Sequence, residues 1–186
     1  VRPLDGAGQL VLVTVADWQA DTGILRRFER IDGRWSAVAE PYAVTVGRNG
    51  TAWGLGLQQP QIDGPQKHEG DGKAPAGVFA IGIAFGSPPA IDSGLRYRAM
   101  DASDWCIDVS GSPYYNRIIS TGDVGEDAVK GSTEPMRRDI HLDGDPLYRK
   151  GFIIGHNSGN SPGRGSCIFA HLWRGPGVPT AGCTAM

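Results

Sequence analysis

Short apolar runs rich in β-branched residues recur along the chain, and glycine- and proline-containing segments separate them. Runs of this kind predict β-strands bounded by turns. The predicted strands cover residues 9–15, 24–30, 42–46, 78–81, 105–109, 152–154 and 167–170. Residues 31–35 contain an Asp-Gly pair that predicts a turn, so the first half is expected to form an antiparallel meander.

Helical periodicity is weak throughout. The best window, around residues 132–138, is interrupted by Pro135 and predicts one or two turns at most. The 28 glycines and 13 prolines disfavour helix interiors further. Two polar stretches, residues 58–76 and 110–145, are longer than ordinary connections, which suggests that they have a function. The sequence therefore predicts a mostly β fold with long loops and little helix.

Length and charge narrow the function classes. A chain of 186 residues is expected to form one domain. Its 18 Lys and Arg residues nearly balance 20 Asp and Glu residues, which argues against the broad basic surface of a nucleic-acid-binding protein. No apolar run approaches the roughly 20 residues that span a bilayer, so no membrane span is expected.

The candidate nucleophile is Cys183. The chain has three cysteines, so one thiol is left over if the other two pair. Small residues flank Cys183, and the backbone amides of Gly182 and Cys183 could form an oxyanion hole. A thiol needs a base, and His171 ends a predicted strand eleven intervening residues upstream. This pairing predicts reaction with iodoacetamide below the free-thiol pKa of about 8.5. The alternative is a buried, inert Cys183 and a surface His171.

Other residues leave alternatives open. His156 follows another apolar run and is a rival base or a substrate-binding residue. Zinc could bind His156, His171 and Cys183, but no C-x-x-C or H-E-x-x-H motif is present, and we expect no metal and no cofactor. Cys106 and Cys167 are either a disulfide formed in an oxidising compartment or two buried thiols.

Five ordered segments resemble a known family. They are KHEGDGKAPAGVF (67–79), SPYYNR (112–117), GHN (155–157), GSCIFAH (165–171) and PTAGCTAM (179–186). In this order they resemble the YkuD-type L,D-transpeptidases, in particular the exported ErfK/YbiS/YcfS/YnhG-like subgroup. The likeness extends over most of the chain, and five ordered motifs are far more specific than one Cys-His pair.

The resemblance implies a β-sandwich-type catalytic domain over residues 1–186, exported to the periplasm or cell wall. Its implied partners are peptidoglycan stem peptides. Cys183 would attack the carbonyl that precedes the terminal D-alanine, with His171 as the base and Gly182 near the oxyanion. A backbone carbonyl would steady the base, so no third acidic side chain is needed. Attack on the thioester by an amine gives a 3→3 cross-link, and attack by water gives an L,D-carboxypeptidase. A wall-binding module without cysteine chemistry is the third possibility.

The motif also departs from the family. Ala181 stands where the commoner form has His, Thr184 and Ala185 replace a following Arg or Asn, and the spacing from His171 to Cys183 is shorter. Family domains also continue past the position of Met186, which suggests that a C-terminal segment is missing from this sequence.

These departures leave open how substrate carboxylates are held. Arginines elsewhere are the expected replacements because guanidinium pairs bidentately with carboxylate. Arg117 is one such candidate. A tyrosine pair and Trp173 could line a groove for glycan or peptide, although such aromatics are more often core. The residues predicted to bind substrate are Tyr115, His156, Asn157, Arg164 and Arg174.

Overall fold

The computed structural model describes residues 3–186 of the chain. Within them, helix is confined to α1 (Thr121–Val124), α2 (Arg138–His141) and two 3₁₀ turns, Glu126–Val129 and Leu147–Arg149. The strands are β1 (Gln9–Val15), β2 (Thr22–Ile31), β3 (Arg34–Ala37), β4 (Tyr42–Thr45), β5 (Thr51–Trp53), β6 (Ala74–Ala76), β7 (Ile81–Gly86), β8 (Tyr97–Ala99), β9 (Asp104–Cys106), β10 (Ile118–Ser120), β11 (Glu134–Pro135), β12 (Lys150–Ile154), β13 (Phe169–His171) and β14 (Thr184–Ala185). The predicted mostly β fold is confirmed.

Nine strands form one mixed sheet. Its order is β1-β2-β4-β14-β13-β12-β7-β8, and β3 also pairs with β2. The pairs β13/β14 and β7/β8 are parallel, and the other neighbours are antiparallel. A three-stranded sheet, β10-β9-β11, and a parallel pair, β5-β6, lie outside this sheet. The parallel pair β13/β14 at the centre of the large sheet positions the candidate site.

Strands β1 to β4 pair antiparallel as predicted, but they do not form a simple meander, and β5 and β6 in the same half are parallel. Strand β2 is ten residues long, and β4 pairs with its first part while β3 pairs with its last part. Both fit because their registers do not overlap: β4 faces residues 22–25 and β3 faces residues 28–31. Strand β4 also pairs with β14, so it connects β1, β2 and β3 to the rest of the sheet.

Two predicted elements were misplaced. The strand predicted at residues 78–81 starts only at Ile81, because the Val78 N–H donates to Gln58 Oε1 at 2.9 Å and its carbonyl accepts from Leu57. The helical window at residues 132–138 contains β11 instead, and α2 begins at its last residue. Pairing of β11 with β9 satisfies backbone groups there that a single helical turn would leave unpaired.

The core adjoins the central strands. Phe85, Tyr148 and Phe169 pack edge to face with ring centroids 5.0–5.8 Å apart. Beside them, Cys106 of β9 and Cys167, just before β13, form a disulfide. The disulfide therefore ties the three-stranded sheet to the strand that ends in His171. No helix formed by residues 3–186 is long and apolar enough to cross a membrane.

Candidate active site

The parallel pairing of β13 with β14 brings Cys183 and His171 together. His171 pairs with Ala185, and Cys183 directly precedes β14, two residues before Ala185. Side chains two positions apart on a strand point to the same face, so Cys183 shares a face with His171. The Phe169 N–H donates to Cys183 Sγ at 3.3 Å, which fixes the thiol against β13. The predicted pair thus lines one cavity.

His171 is held in one tautomer. Its Nδ1 lies 2.6 Å from the Leu172 carbonyl oxygen, and because a carbonyl only accepts, Nδ1 must carry the hydrogen. Nε2 is then an acceptor, and no group among the described residues bonds to it. The Tyr148 ring packs edge-on against the imidazole with centroids 5.2 Å apart. Burial lowers the pKa of His171 to about 4, so the ring is neutral at pH 7.

The Cys183 thiol is buried, with 8% of the residue exposed. Its S–H donates to the Cys167 carbonyl at 3.5 Å. Burial, and secondarily the charge of Glu134, raises the pKa of Cys183 to about 12. This is opposite to the lowered pKa expected from the sequence pairing. The resting site therefore holds a neutral thiol and a neutral imidazole, and the proton must move to His171 as the sulfur attacks.

Thr180 organises the loop that presents the nucleophile. Its hydroxyl donates to the Cys183 carbonyl at 2.7 Å and accepts from the Gly182 N–H at 3.0 Å. The Gly182 amide is therefore occupied in this conformation and must leave Thr180 to serve an oxyanion. The Thr180 backbone also bonds to Val46 and Arg48, at the end of β4.

A charged network, half-buried except for the exposed Arg174, lies next to the pair. The Tyr148 hydroxyl donates to Glu134 at 2.7 Å, and Arg138 bridges Glu134 at 3.5 Å and Asp145 at 2.9 Å. Arg174 lies 3.0 Å from the same Asp145 carboxylate. Burial raises the pKa of Glu134, and burial beside this carboxylate raises the pKa of Tyr148 well above 10. The carboxylates neutralise both arginines.

Two cavities meet at the nucleophile. The larger, about 250 Å³, includes His171, Trp173 and Arg174 in its walls. The smaller, about 160 Å³, includes Lys67 and Glu69. Both are also lined by Arg48, Glu134, Ala181 and Cys183. A group attached to Cys183 can thus be approached from two sides.

His156 is not part of either cavity wall. Its Nδ1 accepts from the Leu55 N–H at 3.2 Å and its Nε2 donates to the Arg164 carbonyl at 2.8 Å, so both ring nitrogens are used. Burial lowers its pKa to about 4. In the part of the chain that the structure describes, no three His, Cys, Asp or Glu residues are grouped so as to hold a metal ion. His156 joins two loops rather than serving as a second base.

The other residues predicted to bind substrate separate into two groups. Arg174 lines the larger cavity. Asn157, Arg164 and Tyr115 line neither cavity. Asn157 is buried and donates to the Ser161 and Gly165 carbonyls, which holds its own loop. These three residues lie in or next to the motif segments, but their side chains do not reach the nucleophile cavities.

Tyr115 is connected to the smaller cavity indirectly. It is buried, and its hydroxyl donates to Glu69, which also accepts from Ser166 at 2.8 Å. Burial and the Glu69 carboxylate raise the pKa of Tyr115 to about 12. Tyr115 therefore positions a wall residue, Glu69, and does not face the cavity itself.

Several wall residues had no motif to reveal them. Tyr148, Glu134, Arg138 and Arg48 lie outside the five segments that carry the resemblance. For Glu134 and Arg138, loop length was the one available signal, since both belong to the long stretch 110–145. Lys67 and Glu69 belong both to the long stretch 58–76 and to the first motif segment. Nothing local distinguished Arg48 or Tyr148, because tertiary packing alone brings them to Cys183.

Comparisons of the chain with protein-family models, with curated proteins and with solved structures found no match. The five ordered motifs are therefore the basis of the family resemblance. The geometry of Cys183 and His171 is an observation independent of that resemblance: it places a thiol and an imidazole with an unoccupied nitrogen on the wall of one cavity.

Proposed function

We propose that this chain is a cysteine acyltransferase that removes the terminal D-alanine from peptidoglycan stem peptides and forms 3→3 cross-links. One observation carries the proposal: a neutral His171, with Nδ1–H bonded to Leu172 and Nε2 unoccupied, shares a face and a cavity with the Cys183 thiol. The stem-peptide substrate comes from the motif resemblance.

The chemistry follows from the protonation states. His171 Nε2 takes the Cys183 proton as sulfur attacks the carbonyl carbon before D-alanine. The C–N bond breaks, the imidazolium returns that proton to the leaving amine, and a thioester remains. An acceptor amine then attacks the thioester carbon and gives its proton to Nε2. The C–S bond breaks, and the sulfur recovers a proton from His171.

Two cavities at one sulfur support transfer to an acceptor. The donor can occupy one cavity while the acceptor approaches through the other, since Cys183 and Ala181 line both. An acceptor that fills its cavity excludes water from the thioester. The hydrolytic alternative, an L,D-carboxypeptidase, uses the same residues and differs only in which nucleophile arrives second.

The proposed location is the periplasm or cell wall. The Cys106–Cys167 disulfide supports this proposal, because disulfides persist in oxidising compartments and are rare in reducing ones. Peptidoglycan stems lie in the same compartment.

The test is mass spectrometry of purified protein incubated with disaccharide-tetrapeptide muropeptides. We expect loss of D-alanine, a thioester adduct on Cys183 and a cross-linked dimer. Cys183→Ala should form none of these, and His171→Gln should slow adduct formation on the order of 100-fold or more. Arg34→Gln, an exposed change in β3, is the control and should behave as wild type.

The products observed distinguish the transferase from its two alternatives. Loss of D-alanine without a dimer would replace the transferase by the carboxypeptidase. A protein that binds muropeptides but gives no Cys183-dependent product would be a wall-binding module. Full adduct formation in His171→Gln would remove His171 from the role of base.

A further inference from the structure

Within the part of the chain that the structure describes, one cationic residue of the two cavity walls is not neutralised by an acidic side chain. Among the other cationic wall residues, Arg138 and Arg174 are paired with Asp145, and Lys67 lies 2.5 Å from Asp71. Arg48 has no side-chain hydrogen bond or ion pair with any group in residues 3–186. Its positive charge is therefore available to a ligand.

The backbone fixes Arg48 beside the nucleophile loop. Its N–H donates to the Thr180 carbonyl at 2.8 Å, and Gly47 pairs with Thr180. Thr180 in turn bonds to the Cys183 carbonyl. Thr180 thus links the Arg48 backbone to the Cys183 backbone by hydrogen bonds. Arg48 also lines both cavities.

The Arg48 side chain lies against Gly72. A Cβ at Gly72 would lie 3.3 Å from both Cγ and Nε of Arg48, so the arginine stem lies against the Gly72 backbone. Gly72 has φ of +69°, a conformation that favours glycine. The loop at Gly72 therefore leaves room for the stem while the guanidinium reaches the cavities.

We infer that Arg48 binds the terminal carboxylate of the leaving D-alanine, an inference that rests on the proposed acyl transfer. That carboxylate is three bonds from the scissile carbonyl carbon, so its partner must be close to Cys183. A guanidinium forms paired N–H···O bonds with a carboxylate, and the bonds are strongest when no other anion competes. Arg174, the predicted partner, is already paired with Asp145.

The test measures binding, so that it does not depend on turnover. Two stem tetrapeptides, one ending in a free D-alanine acid and one in its carboxamide, are titrated by calorimetry into protein carrying Cys183→Ala. We expect the acid to bind on the order of 10- to 100-fold more tightly than the amide. Adding Arg48→Gln should reduce this ratio to about one, and Arg48→Lys should leave an intermediate ratio.

Arg34→Gln in the same background is the matched control, because it removes an equal charge from an exposed position and should keep the ratio. An unchanged ratio in Arg48→Gln, or no preference for the acid in the parent protein, would overturn the assignment of Arg48. Failure of D-alanine release with native Cys183 would instead overturn the acyl transfer. The first failure is seen by calorimetry on the Cys183→Ala protein, and the second is seen as absent D-alanine release from the protein with native Cys183.

Discussion

Reduction of the Cys106–Cys167 disulfide should cost the fold a large part of its stability. The bond joins β9 to the segment before β13 across 61 positions of sequence. The loop-entropy relation gives about 4 kcal/mol at 25 °C for a loop of this length. Total stabilities of single domains are on the order of 5–15 kcal/mol, so this loss is easily measured.

The assay is urea unfolding followed by tryptophan fluorescence, with and without a phosphine reductant. The oxidised protein should unfold with a free energy about 4 kcal/mol above that of the reduced protein. A Cys106→Ala/Cys167→Ala variant is the control, since its unfolding should not respond to the reductant. A difference below about 1 kcal/mol between oxidised and reduced protein would refute the loop-entropy reasoning.

The same bond should influence the site. The Cys167 carbonyl accepts the Cys183 S–H, and Cys167 is held at φ of +54°. Freed from Cys106, this segment gains conformational freedom next to the nucleophile. We expect the rate of D-alanine release to fall on reduction under conditions where the protein remains folded, and a rate independent of reductant would show that β13 alone positions the thiol.

Three further results are expected. Thr180→Val removes the hydroxyl that holds the nucleophile loop and should lower the rate of D-alanine release on the order of 10-fold, whereas Thr180→Ser should restore it. Tyr148→Phe leaves the half-buried Glu134 without its 2.7 Å donor and should lower the urea unfolding free energy by about 1–3 kcal/mol; an unchanged value would mean that water replaces the phenol. His156 and His171 have folded pKa values of about 4, against 6.5 unfolded, so the unfolded chain binds more protons between these values. Stability should therefore fall as pH drops, by about 2 kcal/mol per histidine between pH 8 and 5, and equal urea midpoints at the two pH values would contradict their burial as neutral rings.

Local sequence patterns determined the strands. Residues 9–15 are apolar and branched at Cβ strongly enough to predict β1 with its observed ends, and the apolar runs before His156 and His171 fall on or beside β12 and β13. Hydrogen-bond partners far away in the sequence decided the rest. The Val78 N–H bonds to the Gln58 side chain, which keeps Val78 in a loop. Residues 134–135 form a strand because they pair with β9.

For the candidate site, the sequence identified the reacting residues, and the tertiary structure determined their environment. Cys183 and His171 could be selected from the sequence because a thiol, small flanking residues and an imidazole at a strand end are local features. The state of those groups could not be predicted, because their pKa values depend on burial and on Glu134, which is 49 positions from Cys183 in the chain. Tertiary structure alone decided that Tyr148 packs on the imidazole, that His156 joins two loops, and that the Arg48 side chain has no partner among residues 3–186. Sequence patterns reflect interactions between residues that are close in the chain. The burial of Cys183 and His171, the charges near them and the cavity walls depend on residues that only folding brings together.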